Sequence, residues 1–446
     1  MSVKTENVKW VDGLRGIASL LVVATHIARA FDPDLFLPSS GEGLRPRLLQ
    51  LPILRILPQG RIGVTIFSLV TGYVCALKPI RQCRAGNQTA CFNTISRSAF
   101  RRVPRLVLPT TIATTIIWFL CQFGIYKVAK RSDSWWIEAT SPDITPYFGD
   151  AVKSLLYHLI TTWTRGWNIY DGNQWTLLPL LKGAMMVYVF MLGTAGMKSR
   201  YRMMSSMALF VYFYVANDCN CIRNAILLWN ISLRSLSTST PHRVAQNRHM
   251  ARYYLAPSLI VLGLIFASYP EGKPELQAWS QSLYNLSLWI FPHDPDVPRF
   301  YSGLGLELIA LGIHFSPLCK DFLANKYLLW FGKNSFAVYL IHGTLLRTLL
   351  IWMLYGVSMP EDSVNEKGET VRGVLHMCGR FRWYSMLLVW FVMLYAMANA
   401  WTKWVDPWCG KVTQRWERYV FEEDGAREVV VDARGKNEGA DKGLLG

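Results

Sequence analysis

Residues 12–26 read DGLRGIASLLVVATH. An acid and an arginine stand at one end, a histidine at the other, and the residues between them are apolar or small. The apolar run continues to 31, and similar blocks recur along the chain. About 20 apolar residues span a ~30 Å hydrocarbon core as a helix. Only helices and closed barrels satisfy their backbone groups there, and these blocks lack strand alternation. Asp12 and Arg15 directly precede the first block and no small-residue cleavage pattern follows it, so it reads as a retained first helix.

Working outward, ten blocks qualify as spans: 16–31, 61–78, 106–126, 176–195, 203–216, 221–234, 252–268, 301–316, 335–357 and 382–402. The fifth and sixth are the shortest. With the amino terminus in the cytosol, loop 81–105 faces the same side with Arg81, Arg84, Arg97, Arg101, Arg102, Arg105 and no acid. Loops 196–202 and 234–252 carry basic residues without acids, whereas 269–299 and 358–380 are balanced or acidic. That asymmetry satisfies the positive-inside rule. The expected fold is therefore an all-α membrane protein with about ten transmembrane helices and both termini cytosolic. Residues 1–405 form one polytopic domain. Residues 406–446 form a cytosolic tail, charged and glycine-rich after Tyr419 and disordered at its end.

Composition agrees. Of 446 residues 51% are hydrophobic, and many of the 18 tryptophans, such as Trp135, Trp136, Trp175 and Trp404, fall at block edges where an interfacial belt belongs. The net charge of +17 reads as loop charge that sets orientation, not as a nucleic-acid surface. The nine cysteines are scattered, and Cys219-x-Cys221 has no second half, so neither a metal site nor a disulfide framework is expected. There is no G-x-S-x-G elbow, P-loop or HExxH. The long loop 127–174 is rich in aromatics, and 150–163 within it reads as an interfacial helix.

Arg15 and His26 are eleven residues apart. Eleven steps of a helix return to within about 20° of the start and rise about 16 Å, so both lie on one face, Arg15 at the cytosolic mouth and His26 deep. Ionisable groups inside a membrane are costly and mark function. Imidazole removes a hydroxyl proton near neutral pH, and a guanidinium holds phosphate. A snorkelling arginine and a hydrogen-bonded core histidine fit the spacing equally well.

The run from Asp12 to His26 resembles the opening helix of the acyltransferase 3 family, marked by an arginine, ten residues and a histidine. Further segments match in order. Gly63-Val-Thr-Ile-Phe-Ser-Leu-Val-Thr-Gly-Tyr73 resembles the family's glycine-flanked second helix. Arg101, Arg102, Arg105 and Pro109 resemble its basic approach to the third. Trp175-Thr-Leu resembles its tryptophan motif, and Leu329 to His342 its late Gly…Ser-Phe…Tyr-Leu…His segment. Lys182-Gly-Ala-Met gives the chain the flavour of the fungal branch.

The resemblance implies an O-acyltransferase that moves an acyl group, often acetyl, from acyl-CoA on the cytosolic side to a hydroxyl. The small hydroxylated acceptor is a lipophilic metabolite such as a terpenoid or polyketide alcohol, or a glycan. His26 is the implied base, and Arg15, on the same face of that helix, is the second catalytic candidate. Arg101, Arg102, Arg105, Lys182, His342 and Trp175 are the expected donor contacts, and no metal takes part. One departure stands out: where the family has a glutamate after the tryptophan motif, this chain has Leu180. Glu307, in the eighth span at a depth like that of His26, is the candidate replacement. Two other readings stay open. One is a transport-type or non-catalytic protein of the same fold. The other is the second large family of membrane O-acyltransferases, for which His342 would be the base. A multi-pass protein of this kind is expected in the endoplasmic reticulum.

Overall fold

The apolar block that begins at 16 is the carboxy-terminal two-thirds of a longer helix, α1 (Lys9–Phe31), in a computed structural model that describes residues 9–216, 251–364 and 370–421. After a segment of short 3₁₀ turns come α2 (Arg61–Arg84) and α3 (Gln88–Gln122). The aromatic-rich loop holds α4 (Trp135–Thr140) and α5 (Phe148–Thr164). Then follow α6 (Leu177–Gly193), α7 (Ser199–Val215), α8 (Ala256–Ala267), α9 (Ala278–Ile290), α10 (Val297–Phe315) and α11 (Pro317–Leu323). Last come α12 (Lys326–Leu345), which continues through a π-turn at Leu346–Leu350 to Tyr355, and α13 (Arg380–Phe421). The only ladder among the described residues pairs Ser363–Val364 with Thr370–Val371.

Among the described residues, six helices are long and apolar enough to cross a membrane: Lys9–Phe31, Arg61–Arg84, Gln88–Gln122, Gly172–Gly193, Lys326–Tyr355 and Arg380–Phe421. Val297–Phe315 and Pro317–Leu323, bent by 105°, make a seventh if counted as one span. The protein is thus all-α, as expected, with the chemistry of a membrane protein. The expected span at 203–216 is the 17-residue α7, and that at 252–268 is a short apolar helix over Tyr253–Ala267. The expected span at 221–234 lies outside the described residues, as does the tail from 422 onward.

The core is organised around α1, which packs between α2 and α12. Small residues permit this. A Cβ on Gly16 would come within 2.5 Å of the Leu328 carbonyl oxygen and 2.9 Å of Gly332 N, and one on Gly332 would collide with the Asp12 carbonyl. Close backbone approach at small residues is how helices associate where both helices and lipid are apolar. The register it sets is parallel. Gly16 meets Gly332, and ten residues further along each helix His26 meets His342.

Two corrections to the expected boundaries follow. The ninth span was expected to begin at 335, with His342 two turns inside it. The Asn325 side chain caps the amides of Tyr327 and Leu328 at 3.0 Å, so the helix starts at Lys326 despite its polar first turns. His342 therefore lies sixteen residues in, about 24 Å along the axis and level with His26. At the other end, α13 runs unbroken through 405 to Phe421. Its last turns lie on α3, where Glu417 is 3.6 Å from both Arg97 and Arg101 and the Phe421 ring is 5.5 Å from Phe100.

The segment before α13 is stitched to the loop after α3. Asp133 N donates to Leu375 O and Leu375 N to Arg131 O, and Arg131 pairs with Asp362. The Arg131 guanidinium holds the Asp362 carboxyl at about 2.

Candidate active site

His26 comes three residues before Arg29 near the end of α1, on the face turned to α12. Its ring stacks on Trp136 of α4 at 5.6 Å and 26°. Its Nδ1 is 2.9 Å from Nε2 of His342, which is fully buried. His342 Nδ1 in turn is 2.9 Å from the carbonyls of Val338 and Tyr339. The two histidines that the sequence offered as rival bases are therefore one pair.

His26 lines a cavity of about 270 Å³. Val22, Val64, Pro179 and Leu180 give it an apolar wall, and Trp175 and Tyr339 an aromatic one. Charged side chains complete its lining: Arg29, Arg61, Arg299 and Glu271. Glu271 is 2.5 Å from Arg29 and 3.0 Å from Arg61. Burial alone would raise its carboxyl, but the two guanidiniums hold it below the usual carboxylate range. Arg299 pairs with Asp296 at 3.0 Å and lies 6.0 Å from the Trp175 ring.

A second cavity, of about 330 Å³, abuts the first and shares Val22, Val64, Thr176, Leu180 and Tyr339 with it. Its far end holds four cations, Arg15, Arg102, Arg105 and Lys333, with Asp406 of α13 among them. Arg102 donates to Thr71 Oγ1 at 3.0 Å, and Arg15 is 3.6 Å from Asp12. The pair of cavities thus runs along the Arg15–His26 face of α1, from a cationic end to an imidazole.

The residues at the divide are held by the turn that opens α6. Thr176 Oγ1 is 2.7 Å from Tyr339 Oη, and that hydroxyl also contacts the Asn173 carbonyl. Beneath it lies a buried ion pair, Arg347 to Asp171 at 3.3 Å, both about 2% exposed or less. Arg347 further donates to the carbonyls of Gly343, Tyr170 and Thr140. Asn168, Gln174 and Thr114 close the network at 3.0 to 3.4 Å.

Of the residues singled out from sequence, His26 and Trp175 line the first cavity, and Arg15, Arg102 and Arg105 the second. His342 touches His26 rather than either cavity. Arg101 faces Glu417 and lines neither. Lys182 is exposed on the outside of α6, and Glu307 is buried in α10, away from both cavities. Leu180, in the place of the expected acid, lies at the divide. Sequence reading missed Lys333, Asp406, Glu271, Arg61, Arg299 and Trp136, which come from six different stretches of chain. No group of three or more metal-ligating side chains occurs among the described residues.

Comparison with known proteins finds similar acyltransferases. The O-acetyltransferase PaAT-1 of Phomopsis amygdali is 26% identical over 373 residues, 76% of this chain and 72% of its own length. The acyltransferase R4 of a Phoma species is 22% identical over 422 residues, 79% of this chain and 86% of its own. The acyltransferase clz18 of Cochliobolus lunatus is 22% identical over 396 residues, 75% of this chain and 81% of its own. No solved structure matches. The profile of the acyltransferase domain matches residues 8–402, nearly the whole chain, and the chain belongs to the acyltransferase 3 family.

Proposed function

We propose that the protein is an acyl-CoA-dependent O-acyltransferase whose base is His26. The observation that carries this reading is the pair of abutting cavities, with four cations at one end and His26 at the other. The cationic end suits the phosphates of CoA, with Arg15, Arg102 and Arg105 as guanidinium forks and Lys333 as a point charge. The pantetheine arm then follows α1 past Val22, Val64 and Leu180 and brings the thioester to His26. Trp175 flanks the acceptor end of the first cavity.

In the reaction His26 takes the proton of the acceptor hydroxyl as the oxygen attacks the thioester carbonyl. The C–S bond breaks, the CoA thiolate leaves and recovers that proton from His26. The products are an ester and CoA thiol. The acetyl group is the leading acyl donor, in keeping with the printed name of the Phomopsis amygdali relative. The acceptor is a small lipophilic alcohol, of terpenoid or polyketide type, or a glycan. A transport-type or non-catalytic role fits less well, because His26 opens onto a cavity instead of lying packed.

Ten spans with both termini cytosolic remain the proposed topology, in the membrane of the endoplasmic reticulum. The parallel run of α1 and α12 supports it, since a first and a ninth span point the same way. The catalytic unit extends past 405, because Asp406 lines the cationic cavity. Glu307, Lys182 and Arg101 act in folding and charge balance in this reading.

The test uses membranes containing wild type or His26→Ala, radiolabelled acetyl-CoA and a pooled extract of candidate alcohols. Wild type is expected to form a base-labile labelled ester, and His26→Ala to lose about 10²–10⁴-fold of the rate, the usual share of a general base. Equal labelling by both would remove His26 from the chemistry.

A further inference from the structure

The contacts of His342 fix where its protons are. Its Nδ1 faces two carbonyl oxygens, of Val338 and Tyr339, both at 2.9 Å. Carbonyls only accept, so Nδ1 carries a hydrogen. His342 is fully buried, and an imidazolium there would be an unpaired buried charge. The ring is therefore neutral, and its Nε2 is a bare acceptor. His26 Nδ1, 2.9 Å from that Nε2, has to be the donor. Neutral His26 thus carries its hydrogen on Nδ1, and Nε2 is the nitrogen with the free lone pair. Stacking on Trp136 holds the ring plane, and the glycine-set register of α1 on α12 holds the distance.

Resting on the acyltransferase reading, we propose that His342 is a positioning residue: it accepts the Nδ1–H of His26 and so makes Nε2 of His26 the atom that takes the acceptor's proton. Orienting groups of this kind are usually carboxylates, which also hold the tautomer of their histidine. A carboxylate here would bury a negative charge at membrane depth, whereas an imidazole accepts the same hydrogen without one. This accounts for a site in which Leu180 lines the divide and Glu307 stands apart from both cavities. In the reaction the Nδ1 hydrogen stays on the His26–His342 contact throughout. The acceptor's proton joins Nε2, His26 becomes an imidazolium whose Nδ1–H points at the lone pair of His342, and Nε2 then returns the proton to the CoA thiolate.

The test compares His342→Ala and His342→Gln in purified enzyme, since the Gln amide oxygen reaches about where Nε2 was and can accept the same hydrogen. His342→Ala is expected to lower kcat at least 100-fold and to move the KM for acetyl-CoA by less than about threefold. His342→Gln is expected to recover at least tenfold of that kcat while melting at the same temperature as His342→Ala. Equal kcat in the two variants would overturn the proposal, as would a loss confined to KM, which belongs to a donor contact. Nitrogen-15 NMR of histidine-labelled wild type, read against a His26→Gln control, checks the same point without turnover. The expected spectrum has His26 protonated on Nδ1 and bare on Nε2, and the opposite tautomer refutes the proposal while leaving the acyltransferase reading in place. Wild type that forms no ester with any donor removes both.

Discussion

Arg102 and Arg105 reach the cationic cavity and Arg101 does not, although all three were expected to hold the donor. Losing one charge-assisted contact costs about 1.5–3 kcal/mol, or roughly 10- to 100-fold. Arg102→Ala and Arg105→Ala are each expected to raise the KM for acetyl-CoA at least tenfold, and Arg101→Ala less than about threefold. Steady-state kinetics at saturating acceptor measures this. Glu271 carries a pH dependence. Its carboxyl is held below the usual range, so its contribution to stability is full above about pH 4 and fades as the pH falls further. Melting temperature is expected to be flat from pH 5 to 8 on its account, and Glu271→Gln to weaken the acid-side fall. The Arg15/His26 pair was legible in the sequence because one helix carries both and helical spacing is fixed. Glu271 and Lys333 were not, because nothing local in sequence says which loop or which helix face borders which cavity.

At the scale of elements, the glycine contact between α1 and α12 decides whether the site exists. A side chain at Gly16 would meet the Leu328 carbonyl and the backbone of Gly332. Overpacking of that kind costs about 1–3 kcal/mol. Gly16→Leu is expected to lower the melting temperature in detergent and, by levering the helices apart, to lose acyl transfer well below the temperature of melting. The Asp171–Arg347 pair fastens the turn that opens α6 to the π-turn of α12. Arg347→Ala strands a buried carboxylate, for which the cost is about 3–5 kcal/mol, and a denaturation midpoint should show it. Apolar blocks made the existence of these helices plain. Their ends were obscure, because Lys333 and Asn334 depress the hydropathy of a segment that the Asn325 cap nevertheless starts as helix.

Over the whole molecule, the cationic cavity draws on α1, α2, α3, α6, α12 and α13. Ending the chain after Val405 removes Asp406 from that cavity and Glu417 from Arg97 and Arg101. Such a truncation is expected to change the KM for acetyl-CoA more than the kcat, which a comparison of full-length and shortened enzyme reads directly. The class of the protein was legible from composition and loop charge, since both are set by the bilayer. The reach of the last helix, to Phe421, was not. The charged residues after 405 look like a solvated tail until α13 is seen lying on α3.

The partnership of His26 with His342 also has a bearing on how the enzyme is made. The two residues are 316 positions apart, so the helix that carries one enters the membrane well before the helix that carries the other. A chain stalled midway through synthesis has its first histidine in place and nothing to aim it. On the proposed role of His342, a product that stops short of α12 handles the cell's supply of thioesters poorly, and full catalysis begins only when α12 arrives beside α1.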